Sequence, residues 1–265
     1  MPQVTSRDGT SIAYDRSGEG PVVILVGGAL DDGSENAPLA TELSGEFTVV
    51  NYSRRGRGRS GDAQPYAPER EVEDLAALID EVGAPAHLFG ASSGGALVLA
   101  AVAAGLPVGR VVVYEVPYQV GDEAVRVWQE YVTRLRDALG DGRRDEALRL
   151  FMRLAGAPEE SVEEAAASPM WPALLDLAPT LGHDAACLGD GPPPPWLATV
   201  TRPTLALTGA GTDPHTPGLT IDFFGDAADA IAAAVPGAER GTVETHEHAV
   251  NAKILAPVLA RFFHT

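Results

Sequence analysis

The sequence predicts an α/β protein built on a doubly wound, mostly parallel β-sheet. Three observations lead to this fold class. Continuous apolar runs such as Val22-Val-Ile-Leu-Val26 are typical of parallel strands that are buried on both faces. Segments with helical spacing of apolar residues alternate with these runs, which indicates βαβ units. With 265 residues, 45% of them hydrophobic, the chain is long enough for one large domain with a sizeable core.

In chain order, strands and helices alternate as far as residue 115. The patterns predict strands at 10–16, 22–26, 47–52, 87–89 and 110–115, and helices at 36–43, 69–82 and directly after residue 94. In the predicted helix at 69–82, the apolar residues recur at the three- and four-residue spacing of one helical face, and this spacing is the basis of the assignment.

Residues 117–200 have a different pattern, without a convincing strand. Helical patterns at 122–139, 143–155, 159–167 and 172–181 end in a proline-rich connector, Pro192 to Pro195. A strand at 203–208, a helix at 218–234 and a last strand and helix then resume the earlier alternation. We therefore predict a core formed by residues 1–116 and 201–265, which carries 117–200 as a helical cap.

The charge and composition argue against several classes of protein. A net charge of −18 would repel nucleic acid, so we expect no nucleic-acid partner. The single cysteine, Cys187, excludes an intramolecular disulfide and fits a reducing compartment. The first residues have no apolar signal core and no stretch is long enough to span a membrane, so we expect a cytoplasmic protein without a membrane partner. Metal-ligand spacings are absent, and we expect neither a metal nor a cofactor.

A glycine-rich segment, Gly56-Arg-Gly-Arg-Ser-Gly61, matches the G-x-G-x-x-G pattern of dinucleotide sites. Pro65 and Pro68 follow where the phosphate-binding helix should run, and proline interrupts a helix. We therefore interpret the segment as a turn and its arginines as solvated.

The segment Gly90-Ala-Ser-Ser-Gly94 lies between a predicted strand and a predicted helix. It is G-x-S-x-G in the context that a nucleophile elbow requires. The two glycines flank Ser92 symmetrically and let strand and helix approach, so that the Ser92 hydroxyl points out of the sheet. Ser92 is therefore the candidate nucleophile. The N–H group of Ser93, at the start of the helix, is a candidate donor for an oxyanion hole.

A serine nucleophile needs a general base and an acid that orients this base. The loop Thr242 to Val250 carries two histidines, His246 and His248. It follows a predicted strand and precedes the last helix, at the same edge of the sheet as the elbow. Either histidine is a candidate base.

These motifs together resemble the α/β-hydrolase superfamily across essentially the whole chain. The similarity is carried by the Val-Gly-Gly-Ala loop after the second apolar strand, Asn51 to Ser60, the elbow, the helical insertion, Pro203 to Gly209 and the terminal histidine loop. The chain is more closely similar to small bacterial members whose last loop reads like Thr-His-x-Val. The register of Glu247 to Val250 and of Leu255 to Phe263 then implies that His248 is the base, with His246 as the fallback.

The resemblance also implies the acid and the second oxyanion donor. The family order places the acid after either of two strands, at Glu115 or at Asp213. Glu115 is preferred, because similar bacterial hydrolases and the fungal lactonases that open zearalenone carry a glutamate there, and because a carboxylate closing an apolar strand is costly without a partner. The N–H of Ala29 is the implied second donor. Gly27, Ala91 and Ser53 replace residues that are frequent in the family.

The implied function is that of a cofactor-free serine hydrolase acting on small to medium hydrophobic esters or lactones. We expect substrate contacts from two loop residues and from three aromatic residues of the cap, namely Gly28, Leu30, Trp128, Trp171 and Trp196. Two alternatives stay open. One is a ligand-binding or non-hydrolytic homologue, in view of the replaced residues. The other is an acyl transferase of a biosynthetic pathway.

Overall fold

The computed structural model describes residues 2–83, 85–211, 213, 218–245 and 248–265. The strands are β1 (Gln3–Thr5), β2 (Ser11–Ser17), β3 (Val22–Val26), β4 (Thr48–Tyr52), β5 (Ala86–Ala91), β6 (Val108–Tyr114), β7 (Thr204–Gly209) and β8 (Glu239–Val243). The α-helices are α1 (Ala37–Leu43), α2 (Pro68–Val82), α3 (Ser93–Ala103), α4 (Asp122–Gly140), α5 (Arg144–Leu154), α6 (Glu159–Ala166), α7 (Trp171–Leu177), α8 (Leu181–Leu188), α9 (Ile221–Ala234) and α10 (Ala252–His264). Short 3-10 turns occupy Ala178–Thr180 and Pro195–Thr199.

The strands form one sheet in the order β1-β2-β4-β3-β5-β6-β7-β8. β2 runs antiparallel to both β1 and β4, and the pairings from β4 to β8 are parallel. The predicted α/β class with a mostly parallel sheet is confirmed. The sequence does not predict β1, because three residues with only Val4 buried carry no usable periodicity.

Helices cover both faces of the sheet, as in a doubly wound fold. α2, α3 and α9 contribute buried side chains to one apolar cluster, and α1 and α10 contribute to the cluster on the opposite face. α3 is buried almost all round, which explains why its sequence after Ser93 contains no polar side chain. Since β5 lies between β3 and β6, the turn from β5 into α3 stands at the centre of the sheet edge.

Residues 117–200 join β6 to β7 and form five α-helices, α4 to α8. α8 packs on α3, and α4 packs on α5 and α8. The buried face of α4 carries Trp128, Tyr131 and Leu135. This helical segment therefore rests on the helix that begins at the elbow. In the part of the chain that the structure describes, no helix is both long enough and apolar enough to cross a membrane.

In the basic turn between β4 and α2, Arg59 is exposed as predicted, but the prediction of a solvated arginine is wrong for Arg57, and the preceding Arg54 and Arg55 are buried as well. Arg54, Arg55 and Arg57 are all at most 1% exposed. Arg55 Nη2 donates to Asp74 Oδ1 at 2.7 Å, and its Nη1 donates to Asp8 Oδ2 at 2.7 Å. Guanidinium groups tolerate burial only with such partners. The acids come from other segments, so the local composition of the turn did not reveal them.

Candidate active site

Ser92 lies at the centre of the turn from β5 into α3, in a strained backbone conformation with φ 52° and ψ −126°. Its N–H donates to the carbonyl of Tyr114 at 2.9 Å. A Cβ atom at Gly94 would lie 2.5 Å from the carbonyl oxygens of Val26 and Gly27, and one at Gly90 would lie 2.5 Å from the carbonyl of Gly94. Only glycine permits this approach, so the turn can exist with a serine at its centre.

The ring of His248 is held by Glu115. His248 Nδ1 lies 2.7 Å from Glu115 Oε2, and Glu115 Oε1 accepts a hydrogen bond from the N–H of Gly209 at 2.8 Å. Glu115 follows β6, is 5% exposed and has a φ of 48°. The ring also stacks on Phe224 with centroids 4.8 Å apart. With Nδ1 donating to the carboxylate, Nε2 is the nitrogen left to accept a proton.

Asp213, the second candidate acid, binds the main chain of His248 and not its ring. Asp213 Oδ2 accepts a hydrogen bond from the main-chain N–H of His248 at 2.9 Å. Glu115 therefore orients the ring, whereas Asp213 holds the backbone of the loop. The fallback base His246 lies outside the described residues.

The loop after β3 lies directly against Ser92. A Cβ atom at Gly28 would lie 3.0 Å from Ser92 Cβ. Both residues with candidate oxyanion donors, Ala29 and Ser93, line the same cavity as Ser92. At Gly27, where the sequence lacks a side chain that is frequent in the family, a Cβ atom would lie 2.0 Å from Asp31 Oδ2. The buried Asp31 carboxylate thus occupies the space beside Gly27.

A cavity of about 380 Å³ opens beside Ser92 and His248, between the sheet edge and the helical segment. Its walls are mainly apolar and come from the sheet edge, from α4, α5 and α8, and from the start of α9 with the residues just before it. The apolar wall residues are Ala29, Ala91, Pro117, Ala124, Val127, Trp128, Tyr131, Phe151, Leu154, Ala155, Leu181, Ala185, Leu188, Leu219 and Phe223. A cavity of this size and lining is typical of a small-molecule site.

The predicted substrate contacts divide into two groups. Gly28 and Trp128 line the cavity. Leu30, Trp171 and Trp196 lie outside its described lining. Trp171 packs with Leu148 and Ala178 in a separate cluster, where its Nε1 donates to Asp145 Oδ1 at 3.0 Å.

Trp196 packs against the large apolar cluster that also contains residues of α2, α3 and α9. Leu30 packs against this cluster and against the small cluster of Trp171. We therefore correct the assignment of these three residues to packing. A count of aromatic residues in the helical segment could not separate wall residues from packing residues, because both kinds are apolar.

Sequence reasoning missed two acidic residues of the cavity wall, Glu35 and Asp184. Glu35 is exposed as a whole residue, but partial desolvation of its carboxyl raises its pKa, and the neighbouring Asp31 carboxylate raises it further. Asp184 is buried under α3 and contacts Ser93. Neither lies in a recognisable motif. Within the described residues, no group of three or more histidine, cysteine, aspartate or glutamate side chains is placed to hold a metal ion.

The model of the alpha/beta hydrolase family matches residues 22–252. The chain belongs to the alpha/beta hydrolase family. The match contains the strand β3, the elbow, Glu115 and His248. It therefore covers both parts of the sheet and the helical segment between them.

Solved structures and a sequence relative agree with this assignment. The chain is 43% identical to an alpha/beta hydrolase from Sphaerobacter thermophilus DSM 20745, with a TM-score of 0.86 over 99% of this chain and 100% of that one. An enol-lactonase from Burkholderia xenovorans LB400 shares the fold, with a TM-score of 0.71, 22% identity and full coverage of both chains. The uncharacterized hydrolase YraK of Bacillus subtilis (strain 168) is 37% identical over 90 residues, which are 32% of this chain and 33% of YraK. The matched segment thus spans about a third of that relative.

Proposed function

We propose that the protein is a serine hydrolase that cleaves carboxylic esters or lactones through an acyl-enzyme. The observation that carries the proposal is the contact of His248 Nδ1 with Glu115 Oε2 at 2.7 Å, in a site where the ring shares one cavity with the strained Ser92. A nucleophile, a base and an acid that fixes the base are the parts this chemistry needs.

In this mechanism Ser92 Oγ attacks the carbonyl carbon of the substrate, and His248 Nε2 takes the hydroxyl proton. The imidazolium that forms is stabilised by the Glu115 carboxylate. The oxyanion accepts hydrogen bonds from the N–H groups of Ala29 and Ser93. The base supplies about two to four orders of magnitude in rate, and each oxyanion donor about two to three.

Collapse of the tetrahedral intermediate breaks the bond to the leaving oxygen, and the His248 imidazolium returns its proton to that oxygen. A water molecule then attacks the acyl-enzyme, with His248 again as the base, and releases the acid and free Ser92. In a lactone the leaving oxygen stays attached to the acyl group, so one product is released.

The cavity supports small to medium hydrophobic substrates, because its volume of about 380 Å³ lies near the lower end of the range for small-molecule sites. The enol-lactonase from Burkholderia xenovorans LB400 has the same fold, which makes lactones reasonable substrates to test alongside simple esters. In this proposal residues 117–200 act as a cap that closes the acyl site from above.

The test is the Ser92→Ala variant, assayed on p-nitrophenyl butyrate and on a panel of lactones. We expect kcat to fall by at least about 10³-fold with the thermal transition unchanged. Ser161→Ala, which alters an exposed serine of α6, is the matched control and should turn over like the wild type. A fluorophosphonate probe should label the wild type on Ser92.

Turnover that survives in Ser92→Ala would exclude the proposed nucleophile. Labelling of Ser92 without turnover of any ester or lactone would instead favour a binding protein. Ester products that appear only with an added alcohol would favour an acyl transferase.

A further inference from the structure

Four buried charged residues form a cluster between the elbow, the loop after β3 and helix α8. This cluster consists of Arg54, Arg57, Glu71 and Asp184, and we call it the buried ion cluster. Each member is at most 5% exposed. Asp184 Oδ1 accepts from Arg54 Nη1 at 2.8 Å and from Arg57 Nη2 at 2.7 Å. The proposed reaction assigns none of these groups a role.

The cluster binds the loop that carries one proposed oxyanion donor. Arg57 Nη1 donates to the carbonyl oxygen of Gly28, and Arg54 Nη1 donates to that of Gly27 at 3.2 Å. The Gly28 carbonyl and the Ala29 N–H belong to one planar trans peptide, in which C=O and N–H point in opposite directions. Fixing the carbonyl on Arg57 therefore aims the Ala29 N–H away from the cluster, and Ala29 lines the cavity.

The same cluster binds the residue that carries the other proposed donor. Ser93 Oγ donates to Asp184 Oδ1 at 2.7 Å and accepts from Arg54 Nη1 at 3.2 Å. One carboxylate oxygen on α8 thus accepts from both arginines and from the first residue of α3. The helical segment is linked in this way to both sides of the proposed oxyanion hole.

We propose that Arg57 and Asp184 are positioning residues for the oxyanion hole, which rests on the proposed hydrolysis through Ser92. Stability alone is a weak reason for this arrangement, because the cost of desolvating buried ions often exceeds their mutual attraction, and apolar replacements are often neutral or stabilising. A charged donor on the Gly28 carbonyl also polarises the peptide, which strengthens the Ala29 N–H as a donor.

The test compares Arg57→Lys with Arg55→Lys. A lysine at 57 keeps the charge but cannot bind Gly28 and Asp184 as the planar guanidinium does. We expect kcat to fall about 10- to 100-fold with KM within about twofold, since the oxyanion forms only in the transition state. Arg55 is equally buried, but it pairs with Asp74 and Asp8 instead. Arg55→Lys should therefore lower Tm by a similar amount and leave kcat unchanged.

The affinity for phenylboronic acid separates a positioning role of Arg57 from a merely structural role, which would leave this affinity unchanged. The tetrahedral adduct of phenylboronic acid with Ser92 places an oxygen in the oxyanion hole, whereas benzyl alcohol only fills the apolar cavity. In Arg57→Lys, boronate affinity should fall in proportion to kcat/KM, while benzyl alcohol affinity stays the same. Asp184→Asn is the second variant, with the same expected pattern, in case Arg57→Lys fails to fold.

Unchanged kcat and boronate affinity in a folded Arg57→Lys or Asp184→Asn protein would overturn the positioning role. The proposed function would survive this result as long as wild-type turnover depends on Ser92. If wild-type turnover does not depend on Ser92, the positioning role falls together with the proposed function.

Discussion

At the scale of single residues, the contacts of Glu115 determine which tautomer of His248 is favoured. Its Oε1 accepts from the Gly209 N–H at 2.8 Å, so Oε2 alone faces the ring nitrogen Nδ1 at 2.7 Å. This division favours the proton on Nδ1 and leaves Nε2 as the nitrogen that takes the Ser92 proton in the proposed mechanism. The two contacts of one carboxylate are thus divided, since one holds Glu115 on the Gly209 main chain and the other holds the His248 ring.

Glu115→Gln should lower kcat by about 10³- to 10⁴-fold in steady-state assays on p-nitrophenyl esters. The amide oxygen must take the Gly209 N–H, which turns the NH₂ group toward His248 Nδ1. The neutral His248 ring then carries its proton on Nε2, so that Nε2 cannot act as a base. Asp213→Asn is the matched control. Its amide oxygen can still accept from the His248 main-chain N–H, so most activity should remain. The reverse order of losses would make Asp213 the catalytic acid.

At the scale of elements, helix α2 supplies the acids that keep the basic turn buried. Glu71 binds Arg54 through two hydrogen bonds of 2.8 Å, and Asp74 binds Arg55. Burial alone would raise the pKa of Glu71, but Arg54 outweighs it and lowers this pKa to about 2. Relative to its ordinary value of 4.5, the shift corresponds to about 3 kcal/mol of stability.

Because the folded state lowers this pKa, the stabilisation is present above pH 4.5 and is lost as the pH falls from about 4.5 to about 2. Glu71→Gln should therefore lower the free energy of unfolding at pH 7 by about 3 to 5 kcal/mol, since Arg54 loses one of its two charged partners and keeps only Asp184. Urea titrations should show this deficit narrowing by about 1 kcal/mol at pH 3.5.

Glu73→Gln is the control on the same helix. The ion pairs of Glu73 with Arg7 and Arg70 are solvated. We therefore expect Glu73→Gln to lower the free energy of unfolding by less than about 1 kcal/mol at either pH. A deficit in Glu71→Gln that is the same at both pH values would contradict the assigned pKa shift.

The basic turn also marks a limit of what the sequence predicts for single elements. Strands β3 and β6 and the elbow were predictable, because apolar runs and the Gly-x-Ser-x-Gly spacing are local signals. The partners of Arg54 come from positions 71 and 184, one on the next helix and one far along the chain. Local composition therefore suggested solvent where the fold supplies counter-ions. The three-residue strand β1 was missed for a related reason, since it has too few residues for a period.

At the scale of the whole molecule, the fold class and the position of the elbow followed from the alternation of strands and helices. The wall of the cavity did not. Trp128 lines it, whereas Trp171 and Trp196 pack elsewhere, although all three are large aromatic residues of the helical segment. Which face of a helix meets the sheet edge depends on packing between distant segments, and periodicity gives only the buried face. The acids Glu35 and Asp184 reach the cavity through the same packing.

The charge of the cavity predicts the substrates that it rejects. Its described wall includes Glu35 but no lysine or arginine, and the other acid of the wall, Asp184, is already paired with Arg54 and Arg57. The residues outside the described ranges contain no lysine or arginine either. The net charge of −18 acts in the same direction. We therefore expect the kcat/KM of mono-p-nitrophenyl succinate at pH 8 to be about 5- to 10-fold below that of p-nitrophenyl butyrate, since one like-charge interaction costs about 1 kcal/mol.

Glu35→Gln should raise the kcat/KM of mono-p-nitrophenyl succinate and leave the kcat/KM of the neutral p-nitrophenyl butyrate unchanged. The discrimination against the carboxylate should therefore be smaller in this variant. Added salt should narrow the difference in the wild type, because it screens the repulsion. The raised pKa of Glu35 sets the direction with pH, since protonation removes the repelling charge and the ratio of the two substrates should approach one as the pH is lowered. Equal turnover of both esters at pH 8 and low salt, or a preference for the succinate, would show that Glu35 does not select substrates by charge.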